Sequence, residues 1–273
     1  MNKLVLLLTS IWALTTSSVA VAEDLDKILA GEHRSEKNVA RDQYRNPIET
    51  IEFFGTKPTD HVLEMWPGTG WYSEILAPYV KDQGKYTAAT FALDNMSSED
   101  KRDKSWSKTA HKYKNKMSDR DIYGDVSFTE FSPPRKFQCA EPSSIDVAYV
   151  VRTMHIWDEQ GILLQGLESI YDALKPGGVL AVVQHRGNAS SSLGSIAVEG
   201  YLDERYVIDV AEKAGFQLEA SSEINANAKD TKDHPKGVYT LLPTLAMGKK
   251  DKDRYMEIGE SDRMTLKFIK PES

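Results

Sequence analysis

Apolar and polar positions follow two rhythms along this chain, and the rhythm changes wherever glycine or proline interrupts it. His61–Met65 is a short apolar run followed by Pro67, Gly68 and Gly70, which predicts a strand entering a tight turn. A helix is predicted from about Trp71 to Val80. Asp82-Gln-Gly84 breaks it, and Tyr86–Phe91 has the residue types of a second strand. Residues 97–117 place Trp106, Tyr113 and Met117 on one helical stripe among lysines. Val126–Phe131 alternates as a strand and ends at Ser132-Pro-Pro134, while Asp146–Val151 is the continuous run of a strand covered on both faces. Ile162, Leu163, Leu167, Ile170 and Leu174 give Gln160–Leu174 a helical period. Pro176-Gly-Gly178 stops it before the strand Val179–Gln184. Asp203–Ala214 predicts a helix closed by Gly215, with strands over Phe216–Ala220 and Met264–Ile269 after it.

Strands alternating with helices imply an α/β domain built on a mainly parallel sheet with helices on both faces. Right-handed crossovers then gather the strand carboxyl ends along one edge, where ligands bind at the switch in strand order. The domain is assigned to residues 58–273. Residues 23–57 form a polar helical lead-in. There Asp24 is the expected N-cap of Leu25–Ala30, and Arg41–Phe54 carries Ile48, Ile51 and Phe54. An insertion over about 225–262, polar and rich in Lys and Asp, reads as a lid or as a decorative loop.

Composition narrows the class. With 40% hydrophobic and 27% charged residues in 273, the chain can bury a core without staples. The formal net charge of −7 gives no general help toward a nucleic acid or an anionic membrane. Lys101, Arg102, Lys104, Lys108, Lys112, Lys114 and Lys116 recur at helical spacing, which reads as a solvated face, the alternative being a surface for an acidic partner. Residues 1–22 read as a signal peptide. Lys3 precedes an apolar run from Leu4 to Leu14, too short for a membrane span, and Ala20-Val-Ala22 offers a cleavage site. The expectation is therefore export, periplasmic or secreted, with no stable membrane insertion after cleavage; an uncleaved anchor is the alternative. Cys139 is the single cysteine, so no intrachain disulfide and no cysteine-based metal site are available, and the histidines show no metal-ligand spacing.

The chemistry-bearing turn is Glu64-Met-Trp-Pro-Gly68-Thr-Gly70. Glycines let backbone approach a ligand closely, and a following helix offers unpaired N–H groups. Ser73 stands where a dinucleotide-binding turn has its third glycine, which argues against NAD. Neither a G-x-S-x-G elbow nor a Walker sequence is present. Taken with Asp146-Val-Ala-Tyr-Val-Val151 and Leu174-Lys-Pro-Gly-Gly178, and with Ala214-Gly-Phe216 and the terminal strand, this turn resembles the class I S-adenosylmethionine-dependent methyltransferases over about residues 40–270. The Arg41-Asp-Gln-Tyr-Arg-Asn-Pro47 lead-in and the Pro67-Gly-Thr-Gly-Trp-Tyr72 turn are similar to a group of predicted exported methyltransferases.

The resemblance implies a Rossmann-like seven-stranded sheet with an antiparallel C-terminal strand, and S-adenosylmethionine as cofactor. It implies cofactor contacts from Glu64, Pro67, Gly68, Thr69 and Gly70. Asp94 is the nearest acid after the second strand, and Glu130 stands near the end of the third. His155, after the central strand, is a candidate general base or else a packing residue. His185, after the next strand, could meet it across the cleft. Tyr44, Arg45, Trp71 and Arg152 are candidate substrate or lid residues, with Arg41 beside them; structural salt bridges are the alternative for the arginines. Three functions follow: methyl transfer to an N, O or S nucleophile of a small molecule, a non-catalytic exported binding protein reusing the fold, or a site for another adenosyl or sugar-nucleotide ligand.

Overall fold

The computed structural model describes residues 24–188 and 199–272; residues 1–22, read from the sequence as a signal peptide, lie outside them. Among the described residues seven strands form one sheet: β1 (His61–Met65), β2 (Lys85–Thr90), β3 (Val126–Glu130), β4 (Ile145–Val151), β5 (Leu174–His185), β6 (Gln217–Ser222) and β7 (Arg263–Ile269). Their order is β3-β2-β1-β4-β5-β7-β6. Pairings from β3 through β5 are parallel, and β7 runs antiparallel to both β5 and β6. The Rossmann-like sheet expected from the sequence, with its antiparallel last strand, is therefore present.

The side-chain period of two explains why the central strands are continuously apolar. Val62, Val147, Tyr149, Ala181 and Val183 face one core, with Ile75 and Leu76 of the helix Ser73–Val80 (α2) and Ile51 and Phe54 of Pro47–Phe54 (α1). Leu63, Met65, Ala148, Val150, Leu180 and Val182 face the other. There they meet Leu167 and Ile170 of Leu163–Ala173, and Val207 and Ala211 of Glu204–Lys213.

Several boundaries depart from the sequence reading, each for a local reason. The helix at the start of the described chain already includes Asp24, which is not its N-cap. Arg41–Phe54 is broken at Asn46, whose left-handed backbone separates Asp42–Arg45 from α1 and lets Pro47 begin the second helix. A short helix, Met154–Glu159, follows β4 where only a strand end was expected. Leu174 is already strand, paired with Ile145, and Pro176-Gly-Gly178 is an irregularity inside β5. In Lys101–Lys116 (α3), Tyr113 is buried and Met117 caps the end; Trp106 is half-buried, and Lys101, Lys104, Lys108, Lys112 and Lys114 are exposed.

The 225–262 insertion is neither bare loop nor appendage. Asn225 Nδ2 donates to Thr50 and Thr265 hydroxyls, and Asp230 accepts from Tyr201 and from the backbone of Asp262. These bonds hold Glu260 and Asp262 in place ahead of β7, both buried. Among the described residues no helix is long and apolar enough to cross a membrane.

Candidate functional site

The chain builds outward from β1 to β2 and β3, then returns to place β4 on the other side of β1. The crevice where strand order reverses therefore lies beyond the carboxyl ends of β1 and β4. The residue just after each of these strands is strained. Trp66 (φ 44°) and Arg152 (φ 54°) both hold left-handed backbone, which bulky residues rarely adopt. Trp66 is held by its backbone N–H donating to Ala89 and its indole N–H donating to the Phe131 carbonyl at 2.8 Å. Gly68 (φ 61°) has open space where a side chain would stand. Gly70 (φ 80°) is pressed against the Tyr113 ring, so the turn both needs its glycine conformation and has no room there.

Glu64 is 3% exposed and shares the β1 face with Val62, toward α2. Its Oε2 accepts from Ser73 at 2.7 Å and from the Tyr86 hydroxyl, while Tyr113 donates to Ser73 at 2.9 Å. Burial pushes the Glu64 carboxyl up to about 6, partly offset by the Tyr86 and Ser73 bonds.

Glu64 lines a cavity of about 190 Å³ together with Pro67, Gly68, Thr69, Trp71, Tyr72, Arg41, Arg45 and Arg152. A second chamber of about 410 Å³ adjoins it, sharing the Trp66 and Phe91 walls and extending to Trp106, Phe131, Asn95, Asp103 and Arg135. The Phe91 and Trp106 rings stack at 5.0 Å. The larger chamber has the size of a small-molecule site and the smaller one falls below it, so a ligand of cofactor dimensions needs both.

One wall of the smaller cavity is made of the Arg41, Arg45 and Arg152 guanidinium groups, which with Arg263 gather on a single buried carboxylate outside the lining. Glu260 accepts from Arg41 at 2.7 Å, Arg45 at 3.0 Å and Arg263 at 3.1 Å, with Arg152 at 3.9 Å. Burial opposes ionisation of Glu260, yet Arg45, Arg263, Arg152 and Arg41 hold its carboxyl well below the usual carboxylate range. Trp71 carries Arg45 over its ring at 4.6 Å and donates its indole N–H to Asn38. Arg41 and Arg45 thus serve both as salt-bridge partners and as cavity wall.

Other residues singled out in the sequence lie elsewhere. Asp94 forms a two-pronged pair with Arg135 at 2.9 and 3.0 Å and is mostly exposed. Glu130 accepts from Ser132 and from Arg135 at 3.4 Å. Neither lines a chamber; Asp103, which the sequence gave no reason to favour, is the acid in the larger one. Tyr44 packs on Gly259 and accepts from Arg263 through its carbonyl, away from the cavity.

His155 and His185 do come together, with ring centroids 5.2 Å apart. His155 is set between Gln184 (3.2 Å) and the Tyr239 hydroxyl (3.3 Å), and His185 lies 2.5 Å from the Ser261 hydroxyl. Both are buried, and the cavity is lined instead by their neighbours Thr153 and Ile156. Burial lowers His155 to about 4, and burial with His155 alongside pulls His185 well below its ordinary value. Both rings are neutral at pH 7.

Residues missed in the sequence are Tyr72, Phe91, Asp103, Trp106, Glu260 and Arg263. A signal existed for Glu260-Ser-Asp-Arg263: charged residues immediately ahead of an apolar strand are well placed to be carried into the sheet edge.

No family model and no curated protein sequence matches the chain. Solved structures do. A SAM-dependent methyltransferase from Aquifex aeolicus matches with a TM-score of 0.52 at 19% identity, over 68% of this chain and 87% of that one. The [4+2]-cyclase SpnF matches with a TM-score of 0.57 at 15% identity, over 96% and 94%. A SAM-dependent methyltransferase from Methanosarcina mazei matches with a TM-score of 0.50 at 11% identity, over 81% and 97%. At such identities the likeness establishes the fold, and the cyclase among these structures shows that the fold is not tied to one named activity.

Proposed function

We propose that the protein is an S-adenosylmethionine-dependent methyltransferase acting on an N, O or S nucleophile of a small molecule. The observation that carries this reading is the buried Glu64 carboxylate beside a glycine turn at the strand-order switch, opening onto two joined chambers. The residues present fit the cofactor. Glu64 would accept from its ammonium group, the Pro67–Gly70 backbone would approach its methionyl portion, and the Trp66, Phe91 and Trp106 rings would flank its adenine. Asp103 takes the place proposed for a ribose-binding acid, since Asp94 is committed to Arg135. When bound, the cofactor supplies an electrophilic methyl group. The chain's own contribution is to align the acceptor and exclude water; a base is needed only for a protonated nucleophile. His155 and His185 stand behind the cavity wall, so the alignment falls to the residues that line it.

A non-catalytic ligand-binding protein is the second reading, favoured by the diversion of Asp94 to Arg135. Isothermal titration of the mature protein with S-adenosylmethionine and S-adenosylhomocysteine separates the two. Binding of both is expected, and lack of binding by both to well-folded protein rejects the methyltransferase assignment; a native mass spectrum would then identify any co-purified adenosyl or sugar-nucleotide ligand. Export is proposed as well, on the strength of the Lys3 to Ala22 segment. The intact mass of protein recovered from its own cells is expected to correspond to a chain beginning at Glu23; a mass retaining Lys3 overturns it.

A further inference from the structure

The cavity wall carries more positive charge than its own acids neutralise. Arg41, Arg45 and Arg152 line the cavity and, with Arg263 outside the lining, converge on Glu260, which does not line it either; Glu64 is the one acid among the lining residues. Four cations against two carboxylates leave an excess of two even with Glu64 ionised. Buried charge of this kind is costly unless a counter-charge reaches it.

The polar atoms left without partners point to the same conclusion. Arg41 Nη2, Arg45 Nη2 and the Tyr72 hydroxyl are buried and make no hydrogen bond. All three belong to residues lining the 190 Å³ cavity, and Arg45 and Tyr72 are each only 2% exposed. Each can donate, and the guanidinium nitrogens cannot accept. Unused donors on residues that line a cavity call for an acceptor-rich ligand, which a small turn of the side chains would let them reach.

S-adenosylmethionine meets that demand only in part. Its carboxylate can accept from one arginine, but with its ammonium and sulfonium groups the cofactor carries a net positive charge. Filling the site with the cofactor alone leaves the arginine excess in place.

We propose that the methyl acceptor is an oxyanion, a carboxylate or a phosphate ester, seated by Arg41, Arg45 and Arg152 with the Tyr72 hydroxyl as a further donor. This rests on the methyltransferase reading for the word acceptor, while the anion site stands on the geometry alone. Arg152 supports the assignment by position. Its strained backbone at the end of β4 places it across the strand-order switch from the turn after β1. Arg–oxyanion pairs are frequently two-pronged, so such a site would orient the acceptor as well as hold it. Because the net charge of the chain is −7, general electrostatics do not attract anions, and any anion binding must come from this local reversal of sign.

Titration calorimetry of the full mature protein in low-chloride buffer, with inorganic phosphate and separately with malonate, tests the proposal. One equivalent of at least one anion is expected to bind, phosphate alone marking a phosphate ester and malonate alone a carboxylate. Arg41→Met, at a side chain 12% exposed on the rim, is expected to weaken that binding at least tenfold. Arg152→Met should do the same, and a thermal melt of each variant verifies folding. Because the anion and the sulfonium carry opposite charges, saturating anion should tighten S-adenosylmethionine binding, and by reciprocity the cofactor should tighten the anion to the same degree. Absence of binding by both anions to folded wild type, or unchanged affinity in both folded variants, overturns the anion site. Anion binding without any cofactor binding overturns the methyltransferase reading and leaves the anion site standing.

Discussion

Glu260→Ala is expected to cost the fold about 3–5 kcal/mol, the range for removing one partner of a buried ion pair. The loss comes less from the missing bonds than from what remains: Arg45 and Arg263, each 2% exposed, facing one another with no carboxylate between them. Glu260 also ties the lead-in to the segment before β7, through Arg41 and Arg45 on one side and Arg263 on the other. Denaturant unfolding of wild type and variant measures the difference, and a loss under about 1 kcal/mol would show the arginines to be adequately solvated without it. The pH dependence has a definite sign. Because the folded carboxyl lies below its ordinary value of 4.5, its contribution is complete above about that pH and disappears as pH falls below it. Glu260→Ala should therefore lose the part of the acid sensitivity that wild type shows below pH 4.5.

Glu64→Gln should act in the opposite direction on stability and strongly on binding. The folded carboxyl titrates near 6, above its ordinary 4.5, because burial disfavours its charge. A raised acid favours the fold fully below 4.5 and loses that contribution as pH rises through about 6. The shift amounts to about 2 kcal/mol between pH 4 and 8 from this group. The amide keeps the shape and still accepts from Ser73 and Tyr86, so the variant should unfold with little of this pH dependence and be the more stable form at pH 8. Its affinity for S-adenosylmethionine should fall about 10- to 100-fold, as expected when a charge-assisted bond to an ammonium becomes neutral. In wild type that affinity should weaken below pH 6, as Glu64 takes up its proton. Calorimetry from pH 5 to 8 reads both effects, and a variant that binds as tightly as wild type removes Glu64 from the cofactor site. Stability gained where function is lost is the usual mark of a site residue held in an unfavourable environment.

The central strands were legible because burial is a one-dimensional signal: a strand covered on both faces reads as a continuous apolar run, as β4 does from Val147 to Val151, whatever lies beside it. The turn at Pro67–Gly70 was legible because positive φ at Gly68 and Gly70 has few solutions in sequence. The helix Met154–Glu159 was not, since six residues are too few to show a period.

Directions of polar side chains lay further out of reach. His155 and His185 were expected near each other from the ends of adjacent strands, and they are; whether they faced the cavity depended, for His155, on the turn of the short helix after β4 and, for His185, on its place at the end of β5. Asp94 follows β2 as a ligand-binding acid would, but Arg135, 41 residues later, claims it. The sequence by itself determined the alternation of elements, the two faces of the sheet and the place of the glycine turn, because each depends on residues within a few positions of one another. Only the tertiary structure decided the charge of the cavity, since Arg41 and Glu260 are 219 residues apart and Arg45 and Glu260 are 215 apart. No local period links positions so distant; packing alone brings four guanidinium groups onto one carboxylate.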